Sequence, residues 1–279
     1  MNVIVLSSHT EDMVRHGQNI RQQDYDYRKS IHTSELNRFR SERNEIRAKT
    51  KNALKNKQFG TFIISGIKAI TNALRSEPAS PVMAPETEEE MVWKSGNHGE
   101  NQLLSILDWQ LNADWTALTG YRNRRGEADL IIVGPQGLLG IEIKHINGLI
   151  RCEGDYWYRD KYDNYDNPVE WDLPITDRRG RSPAQQINEV CDDLLQFLNN
   201  RRYFPFLMTA VVLTHPKSWV GEMQDLTVGF VWRADSLDVH LHLQQSGQSL
   251  VREEVTELVN LIIRDHEYHA KRRATSGRG

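Results

Sequence analysis

The feature that most restricts this chain is a pair of apolar runs separated by a very short break. ADLIIVG (128–134) and LLGIEIKHI (138–146) are rich in β-formers, and Gly-Pro-Gln-Gly (134–137) joins them. Proline presets φ at the second position of a turn, and glycine tolerates the conformations that follow. The spacing predicts a hairpin with Pro135 and Gln136 at its centre. Counting outward from Gly134 opposite Gly137, that register sets Asp129 against Glu142. Directly opposed residues have Cβ atoms about 5 Å apart, and like charges so placed destabilise a sheet unless something neutralises them. A divalent cation does this, because magnesium is held by one or two carboxylates with water and phosphate oxygens completing its shell. Lys144 lies two residues beyond Glu142 and shares its face, whereas Leu139, Ile141 and Ile143 point the other way. A solvated strand face with an ordinary Glu-x-Lys ion pair would give the same pattern. The opposing Asp129 is what separates the two readings.

The rest of the chain supplies a frame for that hairpin. HGENQLLSILDWQLN (98–112) carries apolar residues at helical spacing, and Trp115–Tyr121 is a short strand candidate. PAQQINEVCDDLLQFLNN (183–200) predicts a helix with proline in its first turn. FPFLMTAVVLT (204–214), TVGFVWR (227–233) and DVHLHL (238–243) read as strands, and an amphipathic helix over about 249–267 leads to a basic tail at 271–279. This order implies an α/β (α+β) fold: a central sheet with helices on its faces.

Residues 1–75 read as a helical N-terminal arm. The arm is polar, with Gly17 its sole glycine before residue 60, and Ser8 with Glu11 resembles a capping box. Residues 1–76 carry 14 Lys/Arg against 7 Asp/Glu, while the chain as a whole has a net charge of -3. A charged surface helix or an oligomerisation arm fits this, and so does a basic arm that touches phosphates. FGTFIISGIKAITNAL (59–74) is expected to be a helix packed on a neighbour, or less naturally an interfacial anchor. The stretch 76–91 is rich in proline and glutamate and reads as a solvated linker to a domain at 92–270.

Composition excludes collagen-like and disordered classes, and no apolar run approaches the roughly 20 residues that span a bilayer. Two cysteines cannot build a disulfide framework. With no basic n-region ahead of a long apolar core, a reducing cytoplasm is the expected location. His240 with His242, and His266 with His269, lack a third ligand in sequence, which argues against zinc. Arg122, Arg124 and Arg125 precede Asp129 and either hold phosphates beside a metal or decorate a loop. The stretch 155–181, aromatic first and ending in Arg178, Arg179 and Arg181, suits stacking on unpaired bases, though a packed hairpin insertion explains it more simply.

Gly-Glu-Ala-Asp (126–129), the turn, and Gly-Ile-Glu-Ile-Lys-His (140–145) together resemble the core of the PD-(D/E)xK nuclease superfamily, and within it the nuclease-related domain, NERD. Gly99-Glu100 resembles that family's opening motif. Ser182-Pro183-Ala184-Gln185-Gln186 resembles its Asn-Pro-x-x-Gln helix start, with serine for asparagine. The resemblance covers about 96–215. It implies a restriction-endonuclease-like core with a mixed sheet, and metal-dependent hydrolysis of a phosphodiester, most naturally in DNA. Asp129, Glu142 and the Ile143 carbonyl would hold Mg2+ or Mn2+, and Lys144 would polarise the attacking water. Glu100 would reach the site from the first helix, and Gln186 from the later one, with Gln185 the alternative. Nucleic acid is then the expected partner, with a second copy or another protein on the arm. Bacterial defence, or plasmid and phage DNA processing, is the expected setting. The alternative is a non-catalytic nucleic-acid-binding or assembly module on the same fold.

Overall fold

The computed structural model describes residues 1–7, 9–56, 59–163 and 165–276. The strands are β1 (Asn2–Val5), β2 (Thr116–Arg122), β3 (Glu127–Gly134), β4 (Gly137–Lys144), β5 (Gly148–Glu153), β6 (Tyr156–Tyr162), β7 (Pro168–Pro174), β8 (Leu207–Leu213), β9 (Ser218–Gln224) and β10 (Phe230–Arg233). The helices are α1 (His9–Lys55), α2 (Phe59–Ala73), α3 (Glu88–Gln110), α4 (Pro183–Asn199), α5 (Val239–Leu243) and α6 (Arg252–Ser276). The chain divides into two compact units, one of Met13–Glu90 and one of Met1–Asp12 with Met91–Gly279.

The larger unit is a mixed α/β domain built on a six-stranded sheet in the order β1-β2-β3-β4-β8-β10. β2, β3 and β4 run as an antiparallel meander, while β1 on β2, β8 on β4 and β10 on β8 are parallel. The hairpin register is the expected one: Gly134 faces Gly137, and pairing continues to Leu130 opposite Ile141. Near-continuous apolar runs are what strands buried on both faces require. On one face Leu130, Ile132, Leu139 and Ile141 pack with Leu103 and Leu107 of α3 and Val239 and Leu243 of α5. On the other, Ile131, Val133 and Leu138 pack with Ile187, Val190, Cys191 and Leu194 of α4 and with Leu258 and Ile262 of α6. Cys152 and Cys191 are both buried free thiols.

Several expectations need correction. Residues 2–5 are not part of a helical arm; they add strand β1 to the sheet edge. DVHLHL forms helix α5, because the Asp238 side chain accepts from the Leu241 backbone N–H and caps it. The basic tail is helical as far as Ser276, within α6. The first core helix starts at Glu88, ten residues earlier than its apolar periodicity indicates, because Thr87 and Glu90 form a reciprocal capping box. The segment after β4 builds a second sheet, β7-β6-β5-β9, which contains the expected aromatic hairpin. Ser8, and with it the proposed capping box, lies outside the described residues.

In the smaller unit, the acidic segment taken for a free linker is tied along α1. Arg21 pairs with Glu90 at 2.9 Å and Glu86 at 3.7 Å, and His32 lies 3.0 Å from the Pro78 carbonyl oxygen. The lone early glycine of α1 has its reason here: a Cβ on Gly17 would run into the Glu90 carboxylate. Helix α2 turns Ser65 inward and leaves Ile63, Ile64, Ile67 and Ile70 exposed.

Gly140 fixes how closely α4 approaches the hairpin, since a Cβ there would collide with Cys191 Sγ and crowd Ile187. Gly140→Ala is expected to cost about 1–3 kcal/mol in urea unfolding, the usual penalty for overpacking. Adding Cys191→Ala should restore part of it, and a double mutant no more stable than the single one would contradict this packing.

Candidate active site

The site forms where β3 and β4 part. Their ladder ends at Leu130 opposite Ile141. One step further the Asp129 carboxylate, rather than its backbone, bonds across the gap, with Oδ2 accepting from the Ile143 N–H at 2.7 Å. β4 meanwhile stays paired to β8 as far as Lys144. The two carboxylates therefore sit on the α4 side of the sheet where the strands separate, with Asp129 acting as a side-chain rung. Glu142 is 4% exposed, and Lys144 Nζ donates to it at 2.6 Å. The Gln186 amide oxygen lies 3.5 Å from the same ammonium, and the Gln186 amide nitrogen donates to the Arg181 carbonyl at 3.1 Å.

The start of α4 explains why Gln186, and not Gln185, faces inward. Ser182 is the N-cap, and Gln185 completes a capping box with it (Ser182 N–H to the Gln185 side chain at 3.0 Å, Gln185 N–H to Ser182 Oγ at 3.2 Å). The Gln185 amide nitrogen goes on to Asp155 at 3.1 Å. Serine caps as well as asparagine does, so the departure from the family pattern leaves the helix start intact.

Glu100 comes from α3, which approaches the ends of β4 and β8 closely. A Cβ on Gly99 would lie 2.5 Å from Thr214 Oγ1 and 2.9 Å from His145 Cβ. Glycine before the glutamate is thus what lets α3 close on the strand ends. Burial, then the Glu142 charge, hold the Asp129 carboxyl well above its ordinary pKa; Glu100 adds to this, and Lys144 acts against it. Burial opposes the Lys144 ammonium, yet Glu142 and Asp129 outweigh it and leave its pKa raised.

The three arginines are not all where a phosphate clamp would put them. Arg122 pairs with Glu127, and Arg124 with Asp193 at 2.6 Å, so neither guanidinium is directed to the carboxylates. Arg125 is exposed. A group the sequence reading passed over lies beside Lys144. His145 packs edge-on to His98 and His215, with ring centroids 5.4 and 5.0 Å away, and its Nδ1 is 3.0 Å from Thr214 Oγ1. Its place directly after Lys144 was the available signal. Elsewhere His242 stacks on Phe230, and His266 Nδ1 accepts from the Arg122 N–H.

Among the described residues no group of three or more His, Cys, Asp or Glu side chains is placed to hold a metal ion. The donors at the parting strands are two carboxylates with backbone carbonyls beside them. They suit a hard cation that takes one or two carboxylates and fills its shell with water or phosphate oxygens. The excess negative charge around Asp129, opposed by one lysine, is of the kind such a cation offsets.

Fold and site together define a mixed α/β domain with an acidic, lysine-bearing cluster at the open end of a hairpin. Residues 95–214 match the family model of the nuclease-related domain, NERD. No curated protein and no solved structure matches the chain. Among the described residues no helix is long and apolar enough to cross a membrane.

The raised Asp129 pKa sets a sign. A carboxyl held above its unfolded-state value binds its proton more tightly in the folded chain, so stability falls as pH rises through the folded pKa. Asp129→Asn keeps an acceptor for the Ile143 N–H and removes the charge. In metal-free buffer it is expected to unfold at higher urea than wild type at pH 8, with the difference closing as pH falls towards 4. A difference that grows on acidification would show that Asp129 is not crowded by like charge.

Proposed function

We propose that the domain is a metal-dependent phosphodiesterase acting on nucleic acid, most naturally DNA. The observation that carries the reading is the convergence of Asp129, Glu142 and Lys144 on one face at the only end of the hairpin that opens, with Gln186 and the Glu100 charge beside them. Asp129, Glu142 and the Ile143 carbonyl would hold Mg2+ or Mn2+. When bound, such an ion supplies Lewis acidity and a water of lowered pKa.

The chain's own groups do the rest. The Ile143 N–H fixes the Asp129 carboxylate in one orientation. Glu142 and Gln186 hold the Lys144 ammonium at the cleft. There it stabilises negative charge developing on the phosphate oxygens, the kind of preorganised electrostatic contribution that dominates many hydrolases. Gln186, anchored through its amide nitrogen on Arg181, sets where that ammonium points. Glu100 adds a carboxylate from α3, suited to hold a water of the ion's shell.

The test is nicking of supercoiled plasmid and cutting of single-stranded DNA in Mg2+ or Mn2+. Wild type, Asp129→Ala, Glu142→Ala and Lys144→Ala are compared after the folding of each is checked. Each variant is expected to lose about 100-fold or more in rate. Gln186→Ala is expected to lose less. Equal cleavage by all proteins, or none by wild type with any divalent ion, would leave the non-catalytic module as the better reading.

A further inference from the structure

The turn joining β2 to β3 gathers arginines from three separate parts of the chain. It is held rigidly by Asn123, which is fully buried. Asn123 donates to the Val190 carbonyl at 2.9 Å and accepts from the Arg125 and Gly126 N–H groups at 2.9 and 3.3 Å. Onto this turn come Arg179 and Arg181 from the loop before α4, donating to the Arg125 carbonyl at 3.4 and 3.2 Å. Arg273 arrives from the last turns of α6 and donates to the Asn123 carbonyl at 3.2 Å. Arg122, Arg124 and Arg181 are matched by carboxylates of Glu127, Asp193, Asp177 and Glu189. Arg179 and Arg273 make no ion pair among the described residues, and both are exposed.

Stability alone does not account for this arrangement. Like charges brought together repel, and burial, then Arg122 and Arg179, lower the Arg273 pKa, with Glu127 acting against them. Two exposed guanidinium groups without a carboxylate partner among the described residues, seated on one turn, present the planar donor fork that matches phosphate geometry. The turn also adjoins the catalytic cleft through direct contacts. Lys144 contacts Gln186, Gln186 bonds the Arg181 carbonyl, and Arg181 bonds the Arg125 carbonyl. On its far side Arg124 borders a groove of about 550 Å³ between α4 and α6, whose walls include Arg201, Arg264 and Arg272. Asp193 and Asp265 also line it, the first paired with Arg124 and the second accepting from Tyr121 Oη at 2.5 Å.

Resting on the reading of the cleft as a phosphodiesterase, we infer that Arg179 and Arg273, seated on the 122–126 turn, bind backbone phosphates of the nucleic acid running from the cleft towards the α4–α6 groove. The end of α6 lies beyond the residues matched by the family model, so this part of the substrate path is supplied by the chain's own C-terminal helix. Guanidinium groups fixed at carbonyls of a rigid turn position a strand without reading its bases.

The experiment is equilibrium binding of the full chain to a fluorescent single strand and a duplex in EDTA, over a series of salt concentrations. Wild type is compared with Arg179→Gln/Arg273→Gln and with Arg179→Lys/Arg273→Lys. The glutamine pair is expected to weaken binding about 10-fold or more. It should also flatten log K against log[salt] by about 1–2, since each lost phosphate contact removes roughly 0.7 to 0.9 from the slope. The lysine pair should recover most of the slope. An unchanged affinity and slope in the glutamine pair would overturn the inference. So would a loss that lysine does not repair and that follows a lowered unfolding midpoint, or a wild type that binds anionic vesicles but no oligonucleotide. Cleavage by wild type is scored separately in Mg2+. Weakened binding in the glutamine pair with no cleavage by wild type supports the phosphate track and sinks the hydrolytic reading. Cleavage with unaltered binding does the reverse.

Discussion

The Asp129 carboxylate takes the Ile143 N–H at the point where two strands separate, and the site depends on that bond. β3 and β4 part there while β4 stays with β8, which would leave the half-buried Ile143 N–H without a strand partner. An unpaired buried N–H costs about as much as a lost hydrogen bond. A carboxylate supplied from the departing strand satisfies it. The same act fixes Asp129 on the side of Glu142 and Lys144, so a local need of the sheet and the assembly of an acidic cleft are met by one side chain.

The parts of the fold legible in the sequence were those set by local chemistry. Pro135 and Gln136 between two glycines allow one hairpin register, and the ladder from Gly134–Gly137 to Leu130–Ile141 follows it. What the register did not reveal is that the ladder stops one residue short of Asp129. β4 goes on pairing along its other edge with β8, some 70 residues away in the chain, past the point where its ladder with β3 ends. The second sheet was hidden for a related reason. β9 alternates exposure along SWVGEMQ without a clean apolar period, and its partner β5 is short, so neither is marked until they meet. DVHLHL alternates as a strand should, but a capping aspartate and the apolar seats for Val239 and Leu243 override the period. Arg122 and Arg124 were legible as cations near the site, yet Glu127 and Asp193, which pair with them, sit on elements whose approach no local pattern announces.

The N-terminal unit shows the same limit. A basic helix followed by an acidic, proline-rich stretch reads as an arm and a solvated linker. In the structure the stretch is largely exposed, yet its charges are set against those of α1: Arg21 against Glu86 and Glu90, Arg40 against Glu77. Complementary charge blocks within one chain are most simply satisfied by each other. Exposed pairs add little apiece, so the informative contact is Glu90, which is 3% exposed and rests where Gly17 leaves room. The break that matters for any deletion falls after Asp12, because the first strand belongs to the sheet.

The cleft is poorly explained as a stabilising device. Replacing a buried ion pair by apolar groups of similar size is often neutral or favourable, because desolvation takes back most of the Coulombic gain. Here one lysine serves two carboxylates, with a third close enough to raise Asp129 further, so the balance is worse than for a simple pair. From Leu130 to Val133 and from Leu138 to Ile141 these strands are given to close apolar packing, with Gly140 cut down to nothing so that Cys191 can approach. A chain that packs its sheet this tightly and then crowds like charges at the one place where the strands part has a local conflict that its own atoms do not resolve. Such conflicts concentrate at functional sites. A cation, not an anion, carries charge of the sign that would relieve it.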